Sequence, residues 1–329
     1  MRIETSAPTR IDLAGGTIDI WPLYLFHPGA QTLNAAISLR ATARIEPRTD
    51  TRIVIRSEDT GATVDAADWR DLWNPTDLRL LSLLVHFFEV RGITLTTSSE
   101  SPAGAGIAGS SALNVAVCAA LADWKRMHYD PEGLLQVAMN VEAQCINVPT
   151  GLQDYRPALY GGLAAVELDV DGVRRVPLHV DLAELQRRIV LCYTGEPRNS
   201  GTNNWEIMKK HIDGDRHVFD CFERIRDTAT TMRAALEKSD WDSVGRAIAE
   251  EWDNRKRLAP GVTTPAIDDL ITRATAQGAT AAKVCGAGGG GCLFCYGPPQ
   301  AREAIRGALA AGGARILDFT FERHGLSRG

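Results

Sequence analysis

The chain predicts an α+β fold in two unlike halves, and three observations lead there. Its 329 residues with 44% hydrophobic content suffice for two cores rather than one or three. The strand-like stretches crowd the part before residue 185, whereas helical patterns dominate after Thr194. Nowhere do strands and helices alternate with the regularity of a doubly wound sheet. The domains are accordingly drawn at 1–185 and 186–329.

Taken in order, residues 2–7 alternate polar and apolar side chains and predict a short first strand. Residues 41–46 and 51–57 share that period of two, and the turn chemistry of residues 47–50 between them predicts a hairpin or meander. Residues 78–90 are apolar enough for a mostly buried helix, and residues 93–98 are strand-like. Residues 111–127 are rich in Ala, Leu and Val, with Ser and Gly just before them, and predict a helix. A second helix spans 131–146 and carries Glu142 near its end. Residues 161–169 and 172–178 predict a hairpin turning at Asp171-Gly172, and residues 189–193 a short buried strand. Helices follow at 203–212, 218–238, 240–258 and 265–277, then strands at 281–285 and 292–296, a helix at 300–311 and a closing strand at 314–321. There is no internal repeat and no low-complexity tract.

Composition excludes some classes of function. A net charge of -5 with 23% charged residues lacks the basic footprint of a nucleic-acid binder. No segment approaches the run of about 18 apolar residues that spans a bilayer, and the first ten residues lack the apolar core of a signal peptide. The seven cysteines, odd in number and set in apolar surroundings, point to thiols in a reducing cytoplasm. Cys292-Leu-Phe-Cys295 has the spacing of half a zinc or redox site. No second such pair completes it, and the two read as buried strand thiols.

Three segments carry chemistry. In the first, Gly104, Ala105, Gly106, Ile107, Ala108, Gly109, Ser110 and Ser111 lead directly into the apolar helix. Glycines let backbone approach a ligand, and the free N–H groups and dipole of the helix start favour an anion there, so the arrangement suits a phosphate cradle. The two hydroxyls can meet phosphate oxygens or a magnesium ion. The plainer alternative is a tight turn with a Ser cap. No Lys follows the last glycine as in a Walker loop, and no acidic residue stands about 20 positions on to complete a dinucleotide fingerprint. The second segment, Gly286-Ala287-Gly288-Gly289-Gly290-Gly291, lies between two short strands. It is either a flexible hairpin loop or a backbone kept bare for close approach. The third segment places Arg10, Asp12 and Asp19 around the Gly15-Gly16 break, making a polar pocket or a salt-bridged surface strand.

In this order the segments resemble the GHMP kinase superfamily of galactose, homoserine, mevalonate and phosphomevalonate kinases. The run from Ala7-Pro8 through Asp19 is similar to its first motif, and Pro102 through Ala112 to its phosphate loop. Gly151-Leu-Gln-Asp154 is similar to the segment with its catalytic aspartate, and the run from Gly286 to Gly291 to its third motif. The likeness covers nearly the whole chain. The wording from Arg10 to Asp19, Leu33-Asn34-Ala35-Ala36-Ile37 and Tyr193-Thr194-Gly195 resembles the branch acting on D-glycero-D-manno-heptose 7-phosphate and fucose-type sugars. The last glycine before the serines stands one place later than the family commonly has it. Trp21 is bulkier than in the heptose branch.

The resemblance implies a ribosomal protein S5 domain 2-like N-terminal domain and a ferredoxin-like C-terminal domain with the active site between them. It implies ATP and Mg²⁺, with residues 104–111 cradling the phosphates, Ser110 and Glu142 holding the metal, Asp154 as base and Arg10 pairing with it. Asp19, Gly16, Thr17, Gly288, Gly289 and Arg198 are the substrate-side candidates. The expected activity is transfer of the γ-phosphoryl group to a sugar or sugar phosphate, by a cytoplasmic monomer or homodimer that takes neither nucleic acid nor membrane as partner. A mevalonate-type, cyclitol or uronic acid kinase is the alternative, and a ligand-sensing homologue without turnover is the reading from another class. A nicotinamide dehydrogenase is set aside.

Overall fold

A computed structural model describes residues 2–197 and 200–329, with the backbone alone at residues 200–203. The first half builds an eight-stranded sheet from β1 (Ile3–Ala14), β2 (Gln31–Pro47), β3 (Ile53–Ser57), β4 (Thr63–Ala66), β5 (Ile93–Ser99), β6 (Leu163–Asp169) and β7 (Gly172–Pro177), closed by the final strand of the chain. The first two strands are far longer than their alternating stretches. From Ala7 onward every residue of β1 is buried, as are residues 31–37 of β2, so both faces are covered and the period of two disappears.

The hairpin expected across residues 47–50 does not form. β5 lies between β2 and β3, antiparallel to the first and parallel to the second. The turn backbone bonds to the start of β5 instead: the Arg48 amide donates to the Gly92 carbonyl and the Gly92 amide to that of Thr51. A parallel pair needs a crossover, supplied by β4, a 3₁₀ turn (Trp69–Trp73) and α1 (Arg79–Phe87). The hairpin of β6 and β7 forms as expected, with Asp169 opposite Gly172.

Beneath the sheet lie α1, α2 (Gly109–Lys125), α3 (Pro131–Ile146) and α4 (Tyr155–Tyr160). α2 is apolar almost all round because it is packed between β1, β2, α3 and α4. α3 opens with Pro131 at its first turn and Asp130 capping the Gly133 amide. The six residues of α4 are too few to show helical periodicity, and their start at Tyr155 makes Asp154 the residue before a helix rather than the beginning of a loop.

The second half forms an antiparallel sheet of β8 (Ile189–Tyr193), β9 (Ala281–Val284), β10 (Cys292–Tyr296) and β11 (Arg315–Leu317) in the order β11-β8-β10-β9. α5 (Leu182–Arg188) leads in. α6 (Ser200–Ile212), α7 (Arg216–Glu237), α8 (Trp241–Leu258) and α9 (Pro265–Ala276) connect β8 to β9, and α10 (Arg302–Ala311) connects β10 to β11. Counted along the chain, the fourth, first, third and second strands stand side by side in that order, which is the ferredoxin-like arrangement. Cys292 faces the core shared with the first sheet and Cys295 the opposite one, so the two thiols stand on opposite faces of β10.

The closing strand expected at 314–321 stops at Leu317. Phe319 and Phe321 pack into the shared core while Gln186 bonds their backbone, and the chain crosses back to the first sheet. There Phe321 bridges Ile37, and β12 (Ser327–Arg328) pairs with β1. Among the described residues no helix is long and apolar enough to cross a membrane.

Candidate active site

The glycine loop after β5 turns sharply into α2. Its last residue, Ala108, is in the left-handed conformation with φ +59°, and no side chain caps the helix, so the first amides of α2 stay open to a ligand. A cleft of about 790 Å³ lies on this loop, lined by Gly104, Ala105, Gly106, Ala108, Gly109 and Ser110. Ile107 is fully buried and points into the core, and Ser111 is buried where Ser110 is exposed.

Glu142 comes up from α3 beneath the serines. Ser110 Oγ donates to Oε1 at 2.8 Å, Ser111 Oγ to Oε2 at 3.2 Å and Tyr155 Oη to Oε2 at 2.7 Å. Burial raises its pKa, against the pull of the Tyr155 and Ser110 hydrogen bonds. Among the described residues no Lys or Arg forms an ion pair with it. A buried carboxylate with hydroxyl partners and no protein cation suits a hard divalent ion such as Mg²⁺, with Ser110 the serine that reaches the cleft.

Arg10 lies at the seam between that cleft and a second cavity. Its Nη1 donates to the Gly106 carbonyl at 2.8 Å, while Nε, at 3.0 Å, and Nη2 both donate to Asp154 Oδ1. Oδ2 of Asp154 makes no hydrogen bond among the described residues. Burial alone would lower the pKa of Arg10, but Asp154 and Asp12 hold it above the ordinary value.

The second cavity, about 310 Å³, is lined by Arg10, Thr17, Asp19, Gly151, Asp154 and Gly286 among others. Asp19 is 1% exposed. Its Oδ2 accepts the Gln153 amide at 2.9 Å, and its Oδ1 has no partner among the described residues. Burial first, then the charge of Asp154, raises its pKa to about 6. A Cβ at Gly151 would sit 2.4 Å from Asp19 Oδ2, so any side chain there would displace that carboxylate. Thr17 holds φ +73°, a strained conformation for a β-branched residue.

Other candidates sit elsewhere. Gly16 lies behind the cavity wall, where a Cβ would meet Arg255 Nη1 at 2.5 Å. Gly288 and Gly289 do not line the second cavity; Gly286 and Ala287 do. Gly288 packs against Val262, and the Gly289 amide bonds the Val262 carbonyl. The glycine-rich loop instead buttresses the cradle: the Cys292 amide donates to the Ala105 carbonyl at 2.6 Å, and Gly291 backs onto Ala105 and Gly104. Arg198 lies outside the described residues.

Sequence reasoning singled out Asp12 but missed its partner behind the site. Lys283, fully buried, donates to Asp12 Oδ2 and to its carbonyl, both at 2.9 Å, and the Gly286 amide donates to Asp12 Oδ1 at 2.9 Å. Although burial alone would raise the pKa of Asp12, Lys283, Arg10 and Arg255 hold it down at about 2. A lysine amid apolar residues on a four-residue strand was the available signal.

Comparison with known proteins identifies the family. The chain is 28% identical over 336 residues, covering 98% of each, to the D-glycero-alpha-D-manno-heptose 7-phosphate kinase of Campylobacter jejuni. It is 26% identical to a mevalonate kinase of Thermococcus sibiricus, over 99% of this chain and 98% of that one. The crystal structure of a D-glycero-D-manno-heptose 1-phosphate kinase from Bacteroides thetaiotaomicron superposes with a TM-score of 0.79 at 25% identity, covering 99% of this chain and 98% of the other. Residues 78–162 match the GHMP kinases N terminal domain and residues 232–315 the GHMP kinases C terminal domain, together just over half of the chain. With the cradle, the Arg10–Asp154 pair and both matching regions on one framework, the chain belongs to the GHMP kinases.

Proposed function

We propose that the acceptor is a heptose-like sugar phosphate and that Asp154 takes the proton of the hydroxyl that is phosphorylated. GHMP kinases pass the γ-phosphoryl group of ATP to an alcohol, and this chain is such a phosphotransferase. The observation that carries the reading is the place of Arg10. It bonds the carbonyl of Gly106 in the phosphate cradle with one nitrogen and Asp154 in the acceptor-side cavity with two others.

Phosphoryl transfer asks the protein chiefly for alignment and charge neutralisation. The backbone of residues 104–111 receives the triphosphate at the start of α2. Ser110 and Glu142 would hold magnesium, which when bound neutralises phosphate charge around the transferring group. Asp154, held through one oxygen by Arg10, keeps its other oxygen for the acceptor hydroxyl. Arg10 steadies the negative charge that develops nearby. The unpartnered oxygen of Asp19 accepts sugar hydroxyls, and Thr17 and Gly286 shape the wall around them. Arg198, just past Thr194-Gly195, remains a proposed partner for a substrate phosphate. Gly16, Gly288 and Gly289 remain proposed substrate-side residues only through the family motifs that also carry Thr17 and Gly286 to the cavity wall. The reading assigns the cradle to domain 1–185 and the glycine-rich buttress to domain 186–329. It places the enzyme in the cytoplasm as a monomer or homodimer acting on small molecules.

The mevalonate kinase similarity keeps a second acceptor class in view. The decisive experiment measures ATP-dependent ADP release with sugars, sugar phosphates, mevalonate, cyclitols and uronic acids, beside Asp154→Asn as control. The sugar phosphates should give the highest kcat/KM, and the variant should lose about 10²–10⁴-fold in kcat with ATP binding intact. Release no faster than the acceptor-free blank with every compound would instead support a ligand-sensing homologue.

A further inference from the structure

Behind the Arg10–Asp154 pair lies a buried group of charges with no role in the mechanism above. Asp12 follows Arg10 by two places on β1, and Lys283 comes from β9 of the other sheet; both are fully buried. Each oxygen of the Asp12 carboxylate is occupied. Oδ2 takes Lys283 Nζ, and Oδ1 takes the Gly286 amide at 2.9 Å and Arg10 Nη1 at 3.4 Å. Lys283 also bonds the Asp12 carbonyl, and its remaining neighbour, Glu251 of α8, stands 3.9 Å away. Arg255, one turn along α8 from Glu251, donates to the carbonyl of Gly286. Gly286 is thus tied through its amide to Asp12 and through its carbonyl to Arg255.

We infer that Lys283 and Asp12 are positioning residues for phosphoryl transfer: through Asp12 they set Arg10 and Gly286 on two sides of the acceptor cavity and fix how the two sheets meet there. The inference rests on the kinase reading. Lys283 does not touch substrate itself, since it lines neither cavity and directs two of its three N–H groups at Asp12. Stability alone is a poor reason for such a pair. The desolvation cost of buried ions often cancels their attraction, and well-packed apolar replacements are commonly neutral or better. What an apolar pair cannot do is hold the Gly286 amide and Arg10 Nη1 at fixed distances from one carboxylate oxygen. A misplacement of about 1 Å costs on the order of 10²-fold in rate. Both Arg10 and Gly286 border the place where the acceptor would sit.

Three variants separate positioning from mere structure: Lys283→Met, Asp12→Leu and the two together. Each is followed by thermal unfolding, by kcat with the best acceptor and by KM for ATP. Lys283→Met takes the cation from both Asp12 and Glu251, and Asp12→Leu leaves Lys283 with Glu251 alone, so both should melt earlier and turn over about 10²-fold more slowly. The double variant removes the Lys283–Asp12 pair whole and leaves only Glu251 without the lysine. It should regain most of the lost Tm while kcat stays low, with KM for ATP within about twofold of wild type throughout. Recovery of kcat together with Tm in the double variant would overturn the inference and make the pair purely structural. Wild-type kcat in Lys283→Met would do the same. Should the single variants fail to fold, the double variant decides: low kcat at near-wild-type Tm supports positioning, wild-type kcat refutes it. Turnover by the wild-type chain is the common reference. Its absence sinks the kinase reading, whereas wild-type-like turnover in the variants sinks only this one.

Discussion

Replacing Asp19 by Asn should make the protein more stable at alkaline pH while impairing acceptor use. The side chain is 1% exposed, one oxygen lacks a partner, and its pKa rises from 3.8 to about 6 through burial first and the neighbouring Asp154 charge second. Its proton is therefore held more tightly in the folded chain than in the unfolded one. Stability from this group is complete below pH 3.8 and is lost as the pH rises through about 6. A rise from 3.8 to about 6 corresponds to about 3 kcal/mol at pH 8 and to about half of that at pH 5. Asn has no charge to bury, and its amide oxygen can still accept the Gln153 amide. The Asp19→Asn chain should unfold in urea with a free energy higher by up to about 3 kcal/mol at pH 8, with a clearly smaller gain at pH 5. Its kcat/KM for the acceptor should fall while its affinity for ATP holds. A variant no more stable than wild type at pH 8, or one with the same gain at both pH values, would refute the picture of an ionised carboxylate kept buried for its ligand.

Three further outcomes follow from described contacts. Gly291 has φ +82°, and a Cβ there would sit 2.6 Å from the Ala105 carbonyl oxygen, whereas Gly313 has φ +90° and nothing within 4 Å. Ala at either position should cost about 1–2 kcal/mol for the left-handed backbone, but only Gly291→Ala should also weaken ATP binding, by about tenfold or more in calorimetry; equal nucleotide affinities in the two variants would remove the buttress role. Glu142→Gln should raise the magnesium concentration needed for half-maximal rate, because a neutral amide is a poorer ligand for a hard dication, and an unchanged magnesium titration would take Glu142 out of the site. His27 Nε2 and His211 Nε2 lie 2.8 Å apart between the segment after Asp19 and α6. Burial, then the charge of His27, lowers His211 from 6.5 to about 4, so the stability it contributes is present above pH 6.5 and is lost as pH falls toward 4. His211→Gln should flatten that acid limb in urea titrations, and an unaltered limb would assign it to other groups.

What could be read in advance followed local pattern and backbone chemistry. α3 and β8 have the limits their sequence suggests, because a Pro-capped start and a short apolar run are local signals. The outer halves of β1 and β2 were hidden where both faces are buried, and β5 slips between β2 and β3 because of a crossover that no local signal encodes. At the site, the cradle was legible because glycine spacing and a helix start announce a close backbone approach. The glycine-rich loop was legible as a bare backbone but not for its neighbour. Its Gly291 answers to Ala105, nearly two hundred positions earlier. The lysine in the apolar run of β9 was a visible signal, but its partner was not, since Asp12 belongs to the other sheet.

The return of the chain to the first sheet bears on how the molecule can be made. The Gly162 amide bonds the Glu322 carbonyl and the Leu326 amide that of Leu159, and Gly325 packs on the backbone of Leu159 and Tyr160, at the far end of the short helix that begins beside Asp154. Contacts of such long sequence separation close last, because their loop entropy is met only when the intervening chain has formed. During synthesis the first sheet must wait with the edge of β1 open, exposing a strand that invites pairing with another chain. The seat of Asp154 is therefore completed only after both halves exist. A ribosome-bound fragment ending before residue 322 would lack these clasps behind the helix that begins beside Asp154.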